Sequence, residues 1–270
     1  MRATIRHPAV AGRFYPRDPD DLRADVESYC SPPQETIAAL GCMVPHAGYI
    51  YSGHVAGAVY ARLDVPRRSI LMCPNHTGLG HPLAIMSGGA WETPLGLVSV
   101  DTALARTLKQ LFPVLDEDAD AHRAEHAAEV QLPFLLTRRP DCTFVPIALG
   151  TSKYELLATL GEAVAEAVKQ LGEPVLLIAS SDMNHYENDS VTRRKDFKAI
   201  ERILVMDPRG LFDVVMNEDI SMCGFGPTVA MLTAARRLGA AGTKLISYAT
   251  SGDVSGDRER VVGYAGIIVR

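Results

Sequence analysis

Two short apolar runs set the frame for this chain. Leu40-Gly41-Cys42-Met43-Val44 and Ser69-Ile70-Leu71-Met72-Cys73 are each halted by a proline, Pro45 and Pro74, and the first is followed by a segment of helical period. A run of this kind, apolar on successive residues, marks a strand covered on both faces. The proline that ends it has no amide with which to extend a sheet ladder. The same alternation continues through strands expected at Thr143–Leu149, Val175–Ala179, Lys244–Tyr248 and Val261–Val269. Strands alternating with helices over the whole length predict one α/β domain, residues 1–270, with a largely parallel or mixed central sheet flanked by helices.

Helix signals fill the intervals. Asp18-Pro19-Asp20-Asp21 supplies a side-chain cap, a proline in the first turn and acids at the positive end of the dipole. Leu22, Val26 and Tyr29 then recur at helical spacing. Ser52 is the expected cap of a helix carrying Val55, Val59 and Leu63. Further helices are expected at 101–111, at 125–136 with Pro133 disturbing it, and at 154–171, 190–206, 208–217 and 227–238. A turn at Pro94-Leu95-Gly96 precedes an alternating strand, Leu97 to Val100.

In sheets of this class, ligands gather in the loops beyond the carboxyl ends of the strands. Three such loops carry histidine: Pro45-His46-Ala47-Gly48-Tyr49, Pro74-Asn75-His76-Thr77-Gly78, and Ser180-Ser181-Asp182-Met183-Asn184-His185-Tyr186. A fourth, Ser221-Met222-Cys223-Gly224-Phe225-Gly226-Pro227, opens a helix whose dipole favours a thiolate. Imidazoles, a thiolate and a carboxylate meeting at one mouth suit a transition metal, because thiolate selects iron, copper or zinc over calcium or magnesium. His7, His54 and His81 are expected to be ordinary loop and helix residues.

Composition narrows the function classes. A net charge of −5 gives no electrostatic footprint for nucleic acid. No apolar run approaches the roughly 18 residues needed to span a bilayer, and Met1 to Pro8 lacks the apolar segment of a secretory signal. Five cysteines without a C-x-x-C pair write neither a disulfide framework nor a zinc ribbon, so the expected compartment is a reducing cytoplasm. The chain has no G-x-S-x-G elbow, no P-loop and no complete G-x-G-x-x-G. One motif competes with the loop cluster. His122-Arg123-Ala124-Glu125-His126 matches H-x-x-E-H, in which two histidines one helical turn apart bind zinc and the glutamate serves as base.

Several ordered segments resemble the Memo family, including its members called AmmeMemoRadiSam system protein B. They are His7 to Pro16, Pro45 to Tyr49 with Ser52-Gly53, Pro74-Asn75-His76, Thr93 to Gly96, Glu125-His126 with Glu129 and Leu132-Pro133, Ser180 to Asp182 with His185, and Cys223-Gly224. The resemblance implies a fold similar to the class III extradiol ring-cleavage dioxygenases, which hold non-haem Fe(II) with two histidines and a carboxylate. In the Memo proteins a cysteine replaces that carboxylate, and iron or copper is associated with the site. Carried onto this chain, the metal ligands are His46, His76 and Cys223. His185 becomes the acid/base, with Asp182 beside it, and His126 and Glu129 support the ligands from behind. The motif then uses Glu125-His126, and His122 is incidental.

Two functions follow as expectations. The first is a non-haem iron redox protein, copper or zinc being the alternative metals, acting on an unidentified small substrate. The second is a protein that binds a peptide or partner on a dioxygenase scaffold, working with radical-SAM and AMMECR-type proteins. Zinc hydrolysis through the same pocket is a third, more distant reading.

Overall fold

The computed structural model describes residues 4–32 and 34–270. The reading of the N-terminal stretch as free of a secretory signal falls partly on residues 1–3, outside the described residues. In chain order the strands are β1 (Ile5–Arg6), β2 (Gly41–Val44), β3 (Arg68–Pro74), β4 (Leu83–Ile85), β5 (Ala90–Thr93) and β6 (Gly96–Val100). They continue as β7 (Asp116–Glu117), β8 (Thr143–Leu149), β9 (Val175–Ser180), β10 (His185–Glu187), β11 (Thr243–Thr250) and β12 (Val261–Val269). The helices are α1 (Pro19–Tyr29), α2 (Tyr49–Tyr60), α3 (Thr102–Leu111), α4 (Asp120–Arg123), α5 (Leu132–Arg138), α6 (Tyr154–Leu171), α7 (Asp189–Leu204), α8 (Pro208–Asn217), α9 (Phe225–Arg237) and α10 (Gly252–Ser255).

The described strands form one mixed sheet in the order β1-β5-β6-β8-β3-β9-β2-β12-β10, with β11 beside β12 and β4 and β7 beside β8. Its centre, β6-β8-β3-β9-β2, is parallel, and β12 runs antiparallel to β2. Successive residues of the central strands point to opposite faces. Met43, Ile70, Met72, Val145, Ile147 and Leu177 pack with α3 and α6 to α9. Cys42, Val44, Leu71, Cys73, Phe144 and Ile178 pack with α1, α2 and α5. Both faces are therefore covered, which is why these strands are apolar throughout. Cys42 and Cys73 are the small buried hydrophobes their surroundings call for.

Helix starts follow side-chain chemistry where an acid is present. Asp18 accepts from the amides of Asp20 and Asp21, Asp101 from Leu104, and Asp207 from Gly210. Two helix expectations need correction. α2 begins at Tyr49 with Gly48 as its cap, and Ser52 lies inside it, donating its hydroxyl to the Ala47 carbonyl. Residues 125–128 are not helical. A 3-10 turn at Glu129–Gln131 leads into a short α5, with Pro133 in its first turn. The polar side chains of 125–131 are committed to distant partners, described below. Those contacts override the helical period. Among the described residues no helix is long and apolar enough to cross a membrane.

α7 docks on the β11–β12 pair through a buried carboxylate. Asp196 accepts from the Asn184 amide at 2.8 Å and from the Tyr248 hydroxyl at 2.7 Å. Gly263 of β12 makes room for it, since a Cβ there would lie 1.8 Å from Asp196 Oδ2. Burial raises the Asp196 carboxyl from 3.8 to about 7. A carboxyl raised in the fold favours the folded state while neutral. Its contribution is complete below about pH 4 and is lost as pH rises through about 7. Asp196→Asn cannot ionise, so its Tm relative to wild type is expected to climb between about pH 4 and pH 8. A Tm difference independent of pH would contradict this.

Candidate metal centre

β3, β9 and β2 are parallel neighbours, so the residues following each emerge at one edge of the sheet. Those residues are His76, Asp182 with His185, and His46. The fourth loop reaches the same edge from the start of α9. Gly224 there donates its amide to Ser181 Oγ at 3.1 Å, and a Cβ on it would lie 2.4 Å from the Ser180 carbonyl oxygen. Only glycine allows this approach, and it brings Cys223 against the ends of β2 and β9. The donor atoms of His46, His76 and Cys223 lie within 4.8 Å of one another, with Cys223 Sγ 3.2 Å from His46 Nε2.

Hydrogen-bond accounting assigns the proton positions of both imidazoles. Ser180 Oγ has one proton, which it donates to the Ala127 carbonyl at 2.7 Å. It therefore accepts from its other two partners, Gln131 Nε2 and His46 Nδ1, both at 3.0 Å. His46 Nδ1 carries the hydrogen, and Nε2 is left as a bare lone pair facing the sulfur. His46 is buried, and burial, followed by the neighbouring His76, His126 and His185, holds its pKa well below the usual imidazole range. In His76, Nδ1 donates to Glu125 Oε1 at 2.9 Å, while the His76 amide donates to Oε2 at 2.6 Å. Burial alone would lower the His76 pKa, but the bond to Glu125 and that group's charge raise it overall. For Glu125, burial favours the neutral carboxyl, yet the same bond and the Ala127 amide bring its pKa down, so it stays ionised. A carboxylate behind an imidazole fixes the tautomer and makes the outer nitrogen a better ligand.

The protein packed around Cys223 pushes its thiol up, and Asp182 adds to this. Without a cation the sulfur therefore keeps its proton, which the bare Nε2 of His46 can accept as a hydrogen bond. With both imidazoles neutral, the thiol proton is the one that a transition-metal ion displaces to fill the site. The donor set is soft and suits iron, copper or zinc.

The remaining predicted site residues fall in different places. The Asp182 carboxylate accepts from the His46 amide at 2.7 Å, and its own amide points at Cys223 Sγ, 3.3 Å away. Burial raises the Asp182 carboxyl. His185 donates from Nδ1 to the Ser221 carbonyl at 2.9 Å, which leaves its Nε2 unprotonated at the rim. Asn184 ties the two loops together by accepting from the amide and hydroxyl of Ser221. His126 lies in the cluster itself, stacked on His76 with ring centres 4.8 Å apart and edge-on to His46 at 5.5 Å. Glu129 lies elsewhere. Its buried carboxylate accepts from Arg6, the amides of Ala9 and Val10, and the Tyr15 hydroxyl, fastening the N-terminal segment to the sheet edge.

Sequence reasoning names Glu125 only as part of a motif. Its adjacency to His126 is the sole local signal, because its contact with His76 is long-range. The H-x-x-E-H reading has no helix beneath it. α4 ends at Arg123, His122 turns against Trp91 at 5.6 Å, and among the described residues neither His122 ring nitrogen has a hydrogen-bond partner.

The fold and site together define an α/β protein with a His/His/Cys cluster at the carboxyl edge of a parallel sheet. Residues 6–268 match the family described as Memo-like protein. The chain is 44% identical over 268 residues to a MEMO1 family protein of Methanosarcina barkeri, covering 98% of this chain and all of the relative. It is 42% identical over 274 residues to a MEMO1 family protein of Methanothermobacter thermautotrophicus, covering 97% and 99% of the two chains. The chain belongs to the Memo family.

Glu129→Ala removes the shared acceptor of one Arg6 nitrogen, the amides of Ala9 and Val10 and the Tyr15 hydroxyl, Arg6 keeping only the carbonyls of His122 and Glu125. Such a loss is expected to cost about 3–5 kcal/mol in urea unfolding. A cost below about 1 kcal/mol would contradict the anchoring role of Glu129.

Proposed function

We propose that this protein is a non-haem metal-binding redox protein, dioxygenase-like, acting on a small substrate. Fe(II) is the metal we favour, and copper and zinc are the alternatives the donors accept. His46, His76 and Cys223 would hold the ion. The observation that carries this reading is the proton accounting at Ser180 and Glu125. Both histidines are held through their Nδ1 hydrogens, so in the neutral ring it is Nε2 that offers its lone pair to an ion beside Cys223. A purely structural cluster gives no reason for two neutral imidazoles to meet a cysteine in this way.

When bound, the ion would supply Lewis acidity and, for iron or copper, one-electron redox chemistry. The chain's own residues handle position and protons. Ser180 and Glu125 aim the ligands. Asp182 holds the His46 loop by accepting from the His46 amide. His185, anchored through Nδ1, has the free Nε2 that can take a proton from a substrate hydroxyl and later return it. Zinc would confine the site to hydrolytic or Lewis-acid roles, because it has no redox chemistry.

Anaerobic loading with Fe(II) followed by elemental analysis tests the ligand set. One iron per wild-type chain is expected, with retention lost in Cys223→Ala and affinity weakened about 10–100-fold in Ser180→Ala, which releases His46 Nδ1. Equal retention in wild type and Cys223→Ala removes the sulfur from the ligand set. Binding also costs the Cys223 proton. Above the pH at which the imidazoles titrate, affinity is therefore expected to rise about tenfold per pH unit. The thiol is the group raised, so this slope belongs to wild type, and a flat profile there would contradict a thiolate ligand. His185→Ala is expected to retain the metal and lose turnover.

A further inference from the structure

His76 faces two sets of donors. On one side are His46 and Cys223. On the other are Glu125 and His126, and the donor atoms of His76, Glu125 and His126 also lie within 4.8 Å of one another. Glu125 Oε1 is 2.9 Å from His76 Nδ1 and 3.5 Å from His126 Nδ1. The two rings stack 15° from parallel. Glu125 is fully buried and pinned by the amides of His76 and Ala127. Among the described residues the ring nitrogens of His126 make no hydrogen bond, although its side chain is only 21% exposed. Bonds of about 2.0–2.2 Å to nitrogen and oxygen set neighbouring donors roughly 3–3.5 Å apart, and Glu125 Oε1 stands close to that spacing from both rings.

We infer that His76, Glu125 and His126 form a second metal position, alternative to the thiolate centre and independent of the sulfur. Two imidazoles and a carboxylate accept divalent ions such as Fe(II), Co(II) or Zn(II), which the thiolate centre also takes while its sulfur is present. A neutral imidazole has one lone pair. With the hydrogen on Nδ1, His76 serves Cys223 and His46 through Nε2. With the hydrogen on Nε2, it serves Glu125 and His126 through Nδ1. The tautomer of His76 therefore places a single ion in one position or the other, and the ion can pass between them without leaving the cluster. This inference rests on the thiolate centre proposed above and adds a position that does not use the sulfur.

Cobalt(II) under argon is the probe, because a thiolate ligand gives it a charge-transfer band and total bound cobalt is counted separately by elemental analysis. Wild type is expected to hold one cobalt with the band. His46→Ala/Cys223→Ala, which strips the thiolate centre of two donors, is expected to hold one cobalt without the band, within about 100-fold of wild-type affinity. Adding His126→Ala to that pair is expected to abolish binding. His126→Ala alone is expected to keep one cobalt and the band, which also shows that the fold tolerates the change. The inference is overturned if the double variant holds no cobalt in this range, if the triple variant still holds it, or if wild type holds two. If wild type holds cobalt without the band, the thiolate centre falls. With the band present and the double variant empty, the second position falls alone.

Discussion

Parallel pairing of β3, β9 and β2 is the constraint on which everything else rests. It delivers three polar loops to one edge, and it does so through strands buried on both faces, which fixes their register against slippage. A histidine placed two residues past Val44 or past Pro74 has nowhere to go but the space beyond the sheet. α9 then closes that space from the side, because Gly224 lets its first turn touch the end of β9. The site is thus a consequence of topology, and its chemistry is set by what stands behind the loops.

Two buried groups stand there. The hydroxyl of Ser180 has one proton and three partners, and this inequality makes His46 a donor at Nδ1. The carboxylate of Glu125 does the same for His76 and keeps a full negative charge out of water to do it. An unpaired buried carboxylate would cost several kcal/mol. Here two backbone amides and an imidazole offset that cost. A thiolate joining a cation in front of this arrangement would leave the negative charge of Glu125 one imidazole away from the ion, which favours a divalent over a monovalent occupant.

Much of this was legible in the chain. The proline-stopped apolar runs give the central strands, and Asp18 starts its helix as its side chain dictates. His46, His76, Asp182, His185 and Cys223 stand out because each lies in a loop where an α/β sheet keeps its ligands. What local pattern could not give is any feature decided by distant contacts. Residues 125–131 have the period of a helix, yet Glu125 is bound to His76, Glu129 to the N-terminal segment, and Gln131 to Ser180 and Pro45. The same blindness separates His126 from Glu129. They look like a pair three residues apart, and the fold sends one into the cluster and the other to Arg6 and Tyr15. Short strands such as β4, β7 and β10 leave too few residues for a period to register.

The central claim is that sulfur and two imidazoles share one ion. X-ray absorption of the protein loaded anaerobically with Fe(II) measures this directly, through the identity and distance of the atoms bound to iron. The expected spectrum contains one sulfur at about 2.3 Å together with imidazole nitrogens at the usual shorter distance. A coordination shell of nitrogen and oxygen alone, with Cys223 reduced and intact, would contradict the account.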